Sequence, residues 1–115
     1  MQKSCLFCGY DKFELVAENE LSYAIRDKFP VTQLHTLIIS KKHFENVFEL
    51  PAEELESIFE LSKQCRDEIL LKDVSVKGFN FGTNAGAVAG QKILHVHFHL
   101  IPRREGDAAP LAAGN

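Results

Sequence analysis

The sequence predicts an α+β fold, an antiparallel sheet of about five strands covered by one long helix. Three observations predict it. Only residues 51–71 carry sustained helical periodicity, whereas the other apolar segments are short and bounded by turn residues. Most of those segments are followed by turns rather than helices, which disfavours βαβ crossovers. The 115 residues, 45% of them hydrophobic, are enough for one core and too few for two.

Each element follows from local chemistry. Residues 13–16 and 21–26 are short apolar segments separated by Glu18-Asn19-Glu20, the spacing of two strands joined by a turn. Residues 27–33 contain Pro30 and read as a loop. The β-branched run His35-Thr36-Leu37-Ile38-Ile39 reads as a central strand. Pro51 suits the first position of a helix, and Glu53 and Glu54 favour the positive end of its dipole. Leu55, Ile58, Phe59, Ser62, Cys65 and Ile69 recur at helical spacing and are expected to form its buried face, with Cys65 a core residue. Residues 74–82 alternate into a strand, residues 83–91 are glycine-rich, and residues 93–101 form the last strand. After Pro102 the chain turns small and polar, so the reading divides it into a domain over 1–103 and a tail over 104–115, loose at its end.

The bulk properties exclude some functions. A net charge of -3 argues against binding along a nucleic-acid backbone, though a small nucleotide needs only a local electropositive pocket. No segment approaches the apolar length of a membrane span, so neither nucleic acid nor membrane is expected as a partner. The opening residues hold no long apolar stretch, so no secretory leader is expected, and three cysteines without one suggest a reducing, cytoplasmic compartment.

Chemistry concentrates near the C-terminal end. Alternation along a strand puts His95, His97 and His99 on one face, about 6.5 Å apart, and Val96, Phe98 and Leu100 on the other. Three of only five histidines fall on this stripe. A solvated face and a His-x-His metal site are both possible explanations. The segment upstream, Asn84-Ala85-Gly86-Ala87-Val88-Ala89-Gly90-Gln91, carries no charge, and its glycines let backbone amides approach an anion. Directly before the stripe, it suggests a phosphate held beside an imidazole nucleophile.

The run His95-Val96-His97-Phe98-His99-Leu100-Ile101-Pro102-Arg103 resembles the H-φ-H-φ-H-φ-φ signature of the histidine triad (HIT) superfamily, φ being hydrophobic. Ala89-Gly90-Gln91 and the segment 34–43 match small members as well, so the resemblance covers roughly residues 5–103. It implies the HIT-like fold, with one long and one short helix, and a homodimer whose two sheets join edge to edge. It implies a nucleotide hydrolase or transferase that attacks the α-phosphate of purine nucleotide derivatives, whether phosphoramidates, adenylates or dinucleoside polyphosphates. The intermediate would be a nucleotidyl-histidine. By the resemblance, His97 is the nucleophile, oriented by a carbonyl on its own strand with support from His35. His99 serves the phosphate and the leaving group. Asn84, Gly90, Gln91 and nearby amides hold phosphate oxygens, and Asp27, eight residues before His35, takes the ribose. Leu6, Phe7 and Ile25 match base-pocket positions, although core packing explains each of them equally well. Lys92 departs from the Ser or Thr of many relatives, which leaves the leaving-group preference open.

Cys5-Leu6-Phe7-Cys8 is by itself ambiguous between zinc, redox chemistry and coincidence, and no βαβ pattern follows to favour redox use. Relatives that keep Cys-x-x-Cys imply a structural Zn2+ on Cys5, Cys8, His43 and His95, with no catalytic metal. Two competing functions stay open: a zinc-dependent hydrolase with His95, His97 and His99 as ligands, and a non-catalytic nucleotide sensor.

Overall fold

The computed structural model describes residues 5–107. Five strands form one antiparallel sheet: β1 (Ala17–Glu18), β2 (Ser22–Arg26), β3 (Thr36–Ser40), β4 (Val76–Gly82) and β5 (His97–Arg104), in the spatial order β1-β2-β3-β5-β4. The helix α1 (Ala52–Lys72) separates β3 from β4 and packs on β2 and β3. In place of the expected short helix, the described residues contain three single 3-10 turns, at Tyr10–Lys12, Val47–Glu49 and Ala87–Ala89. The loose C-terminal end expected from the sequence lies outside the described residues.

The first strand lies later than expected, at Ala17–Glu18 rather than 13–16. Asn19 sets this position. Its Oδ1 accepts from the Leu21 and Ser22 amides at 3.3 and 2.9 Å, and its Nδ2 donates to the Ser57 carbonyl at 3.0 Å. The hairpin therefore closes on Asn19 and pairs Ala17 with Ala24, while Phe13 and Leu15 pack beside Tyr23 and Ile25.

The sheet has two apolar faces. Ala24, Ile38, Val96, Phe98 and Leu100 pack with Ile58, Leu61, Cys65 and Ile69 of α1. Phe7, Tyr23, Ile25, Leu37 and Ile39 form a second cluster on the opposite face. Ile58, Leu61 and Ile69 are wholly buried, each worth about 1.5–3 kcal/mol relative to an exposed side chain. The helix stripe is rotated from the expected one: Glu54 and Leu61 are buried, whereas Leu55 and Phe59 are 43% and 51% exposed. Burial at 54, 58, 61, 65 and 69 centres the stripe on the sheet and leaves Leu55 and Phe59 on its flank, with Phe59 against Phe81.

β5 starts at His97 rather than Ile93, because the Val96 amide donates to the Phe44 carbonyl at 2.8 Å and bends the chain before it enters the sheet. It runs on to Arg104, past the expected domain end. Pro102 is tolerated because β3 pairing stops at Leu100, so only β4 flanks the strand there. Beyond that boundary Arg104 reaches Asp73 at 2.9 Å and Arg103 reaches Asp107 at 2.9 Å, tying the segment down.

Candidate active site

His97 and His99 point to the face opposite α1, opposite Ile39 and Leu37 of β3. His97 Nδ1–H donates to the His95 carbonyl at 2.7 Å, which leaves the Nε2 lone pair as the free end of the ring. The Thr83 hydroxyl donates to the His97 carbonyl at 2.7 Å, and Phe7 stands edge-on to the ring at 5.2 Å. Burial holds His97 below the ordinary histidine range against the opposing pull of the His95 carbonyl, so the neutral, nucleophilic form prevails near neutral pH.

A chain of hydrogen bonds fixes the other two rings. The Val31 amide donates to His35 Nδ1 at 3.0 Å, so the proton of neutral His35 sits on Nε2. That nitrogen lies 3.0 Å from His99 Nδ1 and donates to it, which places the His99 proton on Nε2. Burial, then the neighbouring His97 and His35, push His99 down to about 4; burial also lowers His35, with Asp27 opposing. Asp27 Oδ2 is 3.4 Å from His35 Nε2, and Oδ1 accepts from the Phe29 amide at 2.9 Å. His35 thus reaches His99, not the carbonyl that orients His97.

Beside these rings opens a cavity of about 610 Å3, within the range that holds a nucleoside. Leu6, Ile25 and Asp27 line it as expected. Phe7 does not: it is 3% exposed and lies in the core against His95 and His97. Phe13, Leu37 and Ile93 add to the apolar wall, with Glu14 and Lys28 among the polar lining, and none of these five was singled out as a site residue from the sequence. Leu37 was recoverable in principle, since it sits directly opposite His99 once the register is known.

In the glycine-rich loop Gly86 and Gly90 take φ +99° and +100°, but the amides of Gly86, Ala89, Gly90 and Gln91 bond within the loop, so Gly90 does not offer its amide to a phosphate as expected. Gln91 holds it from below rather than lining it. Its Oε1 accepts from the Gly86 amide at 2.8 Å, and its Nε2 donates to the Glu45 and Ile93 carbonyls at 2.6 and 3.0 Å. Both ends of that amide are engaged and the residue is 4% exposed, so Gln91 braces the loop instead of offering its side chain to a phosphate. Asn84 follows directly on Thr83, two residues beyond the Gly82 that pairs with His99.

Cys5, Cys8, His43 and His95 come together at one end of the stripe, their donor atoms all within 4.8 Å. Cys5 Sγ is 3.2 Å from His95 Nδ1; Cys8 Sγ is 3.3 Å from His43 Nδ1 and 3.5 Å from His95 Nδ1. Four ligands on a tetrahedral zinc ion would place sulfur and nitrogen about 3.6 Å apart, so the set needs little movement to fit. His95 Nε2–H donates to the Ser40 carbonyl at 2.8 Å, leaving the Nδ1 lone pair facing the thiols. Burial and then Cys5 push the Cys8 thiol up to about 11, while burial pushes His95 down to about 4. Asp27, His35 and His99 also lie within 4.8 Å of one another, but the Val31 bond puts a proton on the His35 nitrogen that would have to coordinate. His95, His97 and His99 each turn to a different partner and do not converge on one point.

Residues 11–106 match the family model for the HIT domain. The chain belongs to the HIT family. An uncharacterised HIT-like protein of Methanocaldococcus jannaschii is 39% identical over 114 residues, covering 96% of this chain and 87% of the relative. Adenosine 5'-monophosphoramidase HNT1 of Saccharomyces cerevisiae is 34% identical over 91% of this chain and 66% of its own length. Adenylylsulfatase HINT3 of Arabidopsis thaliana is 33% identical over 93% and 56%. Among solved structures, a HIT family protein from Bacillus anthracis superposes with TM-score 0.83 at 36% identity, over 91% of this chain and 77% of that one. A Zn-bound histidine triad family protein from Mycobacterium smegmatis superposes with TM-score 0.86 at 28% identity, over 96% and 82%. Among the described residues of this HIT protein, no helix is long and apolar enough to cross a membrane.

Proposed function

We propose that this HIT protein is a nucleotide hydrolase or nucleotidyl transferase that attacks the α-phosphate of purine nucleotide derivatives through His97. The observation that carries the proposal is the 2.7 Å bond from His97 Nδ1–H to the His95 carbonyl, which fixes the tautomer and presents the Nε2 lone pair. Nε2 forms a bond to the α-phosphorus as the bond to the leaving group breaks, the electron pair departing with that group. The ring becomes cationic and keeps its Nδ1 proton on the carbonyl. The His99 Nε2–H hydrogen-bonds the charge that develops on the departing atom or on a phosphate oxygen, and Asn84 takes another oxygen. Water then attacks phosphorus, loses a proton to solvent, and returns the electron pair to Nε2. Asp27 accepts from the ribose hydroxyls, and Leu6, Ile25, Phe13, Leu37 and Ile93 enclose the base.

The names of the yeast and plant relatives support phosphoramidates and adenylyl sulfates as the substrates to try first. Cys5, Cys8, His43 and His95 would hold a structural Zn2+, whose charge would keep the thiolates ionised and tie the N-terminal segment to the strand. A homodimer joined through β4 suits an edge strand flanked by the exposed apolar side chains Leu55, Phe59 and Phe81. A reducing, cytoplasmic setting suits the three free cysteines.

His97→Ala is expected to abolish turnover of a nucleoside phosphoramidate, by about 10⁴-fold or more, while nucleotide affinity changes by less than about threefold. Steady-state rates beside equilibrium dialysis check this. A variant retaining a tenth of the wild-type rate would overturn the proposal.

A further inference from the structure

Of the two readings open for Phe7, base pocket or core, the structure takes the core, packed against the nucleophile. The Phe7 ring stands edge-on to His97 at 5.2 Å and 72°, and edge-on to His95 at 6.0 Å and 86°. Phe13 closes the other side of the Phe7 ring at 6.2 Å, and the Phe7 carbonyl accepts from the Tyr23 hydroxyl. Cys5 and Cys8, on either side of it in the chain, both approach His95 Nδ1. His95 in turn supplies the carbonyl that orients His97. The four-residue segment therefore meets the nucleophile by two routes, a ring contact and a backbone acceptor.

One hydrogen bond at Nδ1 leaves an imidazole free to swing about that bond, which would sweep Nε2 across the site. The buried ring of Phe7, packed against one side of His97, blocks the swing on that side. We propose that Phe7 is a positioning residue for His97, and that the Cys5/Cys8/His43/His95 cluster sets its position, so that metal occupancy there is felt at the nucleophile. The kinetic part of this rests on the proposed function; the geometric part does not.

The test uses 15N-labelled protein, in which long-range imidazole spectra report the tautomer and mobility of each histidine. Wild type, Phe7→Ala, Phe7→Val and Phe7→Leu are compared, with metal content measured for each, together with wild type stripped by a zinc chelator. In wild type His97 is expected to show one tautomer, protonated at Nδ1. With metal content unchanged, Phe7→Ala keeps that tautomer but makes the His97 ring mobile, seen as faster relaxation of its ring resonances, and leaves His35 and His99 as in wild type. It also lowers kcat for a nucleoside phosphoramidate by about 10- to 100-fold, the usual penalty of a small misplacement, with KM within about threefold. Phe7→Leu recovers most of both signals, and stripped wild type shows the same mobile His97 ring. Should Phe7→Ala not fold, Phe7→Val is read the same way. A His97 spectrum and a kcat that stay at wild-type values in the truncated variant overturn the proposal, and so does a His97 spectrum unmoved by stripping. If wild type turns over no nucleotide at all, the proposed function fails, and the spectra still decide whether Phe7 and the cluster position His97.

Discussion

Two clusters of metal-capable side chains lie within about one strand's length of each other, and they are wired in opposite senses. In the first, the Ser40 carbonyl accepts the Nε2 proton of His95, so the Nδ1 lone pair faces two cysteines. In the second, the Val31 amide donates to Nδ1 of His35, so its Nε2 proton faces His99. A buried histidine becomes a ligand or a donor according to whether the backbone offers its far nitrogen an acceptor or a donor. The ring chemistry is the same in both places. Composition alone does not tell the two sites apart; one backbone group at each does.

The contrast can be broken most sharply by metal content. Cys8→Ser is expected to cut bound zinc by at least about tenfold, since two thiolates anchor the proposed site. Asp27→Asn is expected to leave zinc content unchanged, because the second cluster is protonated where an ion would need a lone pair. Zinc titration with a colorimetric chelator measures both. Equal losses in the two variants would mean that the second cluster also holds metal.

A smaller effect is expected inside the second cluster. His35→Gln removes the acceptor for the Val31 amide and loosens the donor to His99, so kcat is expected to fall by about tenfold with little change in zinc content. Stability is expected to drop by about 1–3 kcal/mol, because a buried amide loses its partner. Urea unfolding and steady-state kinetics on the same preparation check the pair of effects. A rise in KM alone would instead place His35 in ground-state binding.

The smallest effect is a pH dependence. The folded value of His99, about 4, lies below the usual 6.5, so between these values the unfolded chain binds more protons than the folded one. Stability is therefore expected to fall as pH drops from about 6.5 toward 4, and to be insensitive to His99 above about pH 7. The urea midpoint followed over pH 4–8 should show this slope, and His99→Gln should make it shallower while the lowered His95, His97 and His35 keep part of it. An unchanged slope in that variant would assign the acid sensitivity to other groups.

How far the sequence reached depends on the range of the interaction. The helix, the alternation at Val96, Phe98 and Leu100 and the histidine stripe are local and were legible in the residues themselves. The four residues of the metal-like cluster, spread from 5 to 95, came from resemblance, since nothing local brings Cys8 to His43. Gln91 was misassigned because its role depends on the carbonyl of Glu45, 46 positions away in the chain. The first strand moved because Asn19 bonds to Ser57 on the helix, and Leu55 and Phe59 are exposed because the helix docks through Leu61. Phe7 carried an apolar signature that fits a pocket wall as well as a core. Only its neighbours separate the two.

The central claim is that His97 Nε2 takes the nucleotidyl group from the substrate. It is tested most directly by rapid acid-free quenching during turnover of a nucleoside phosphoramidate, followed by peptide mapping. A nucleotidyl group on the peptide containing His97, formed and lost at rates that account for turnover and absent in His97→Ala, is the result predicted. Turnover at the full rate with no adduct on that peptide would contradict it.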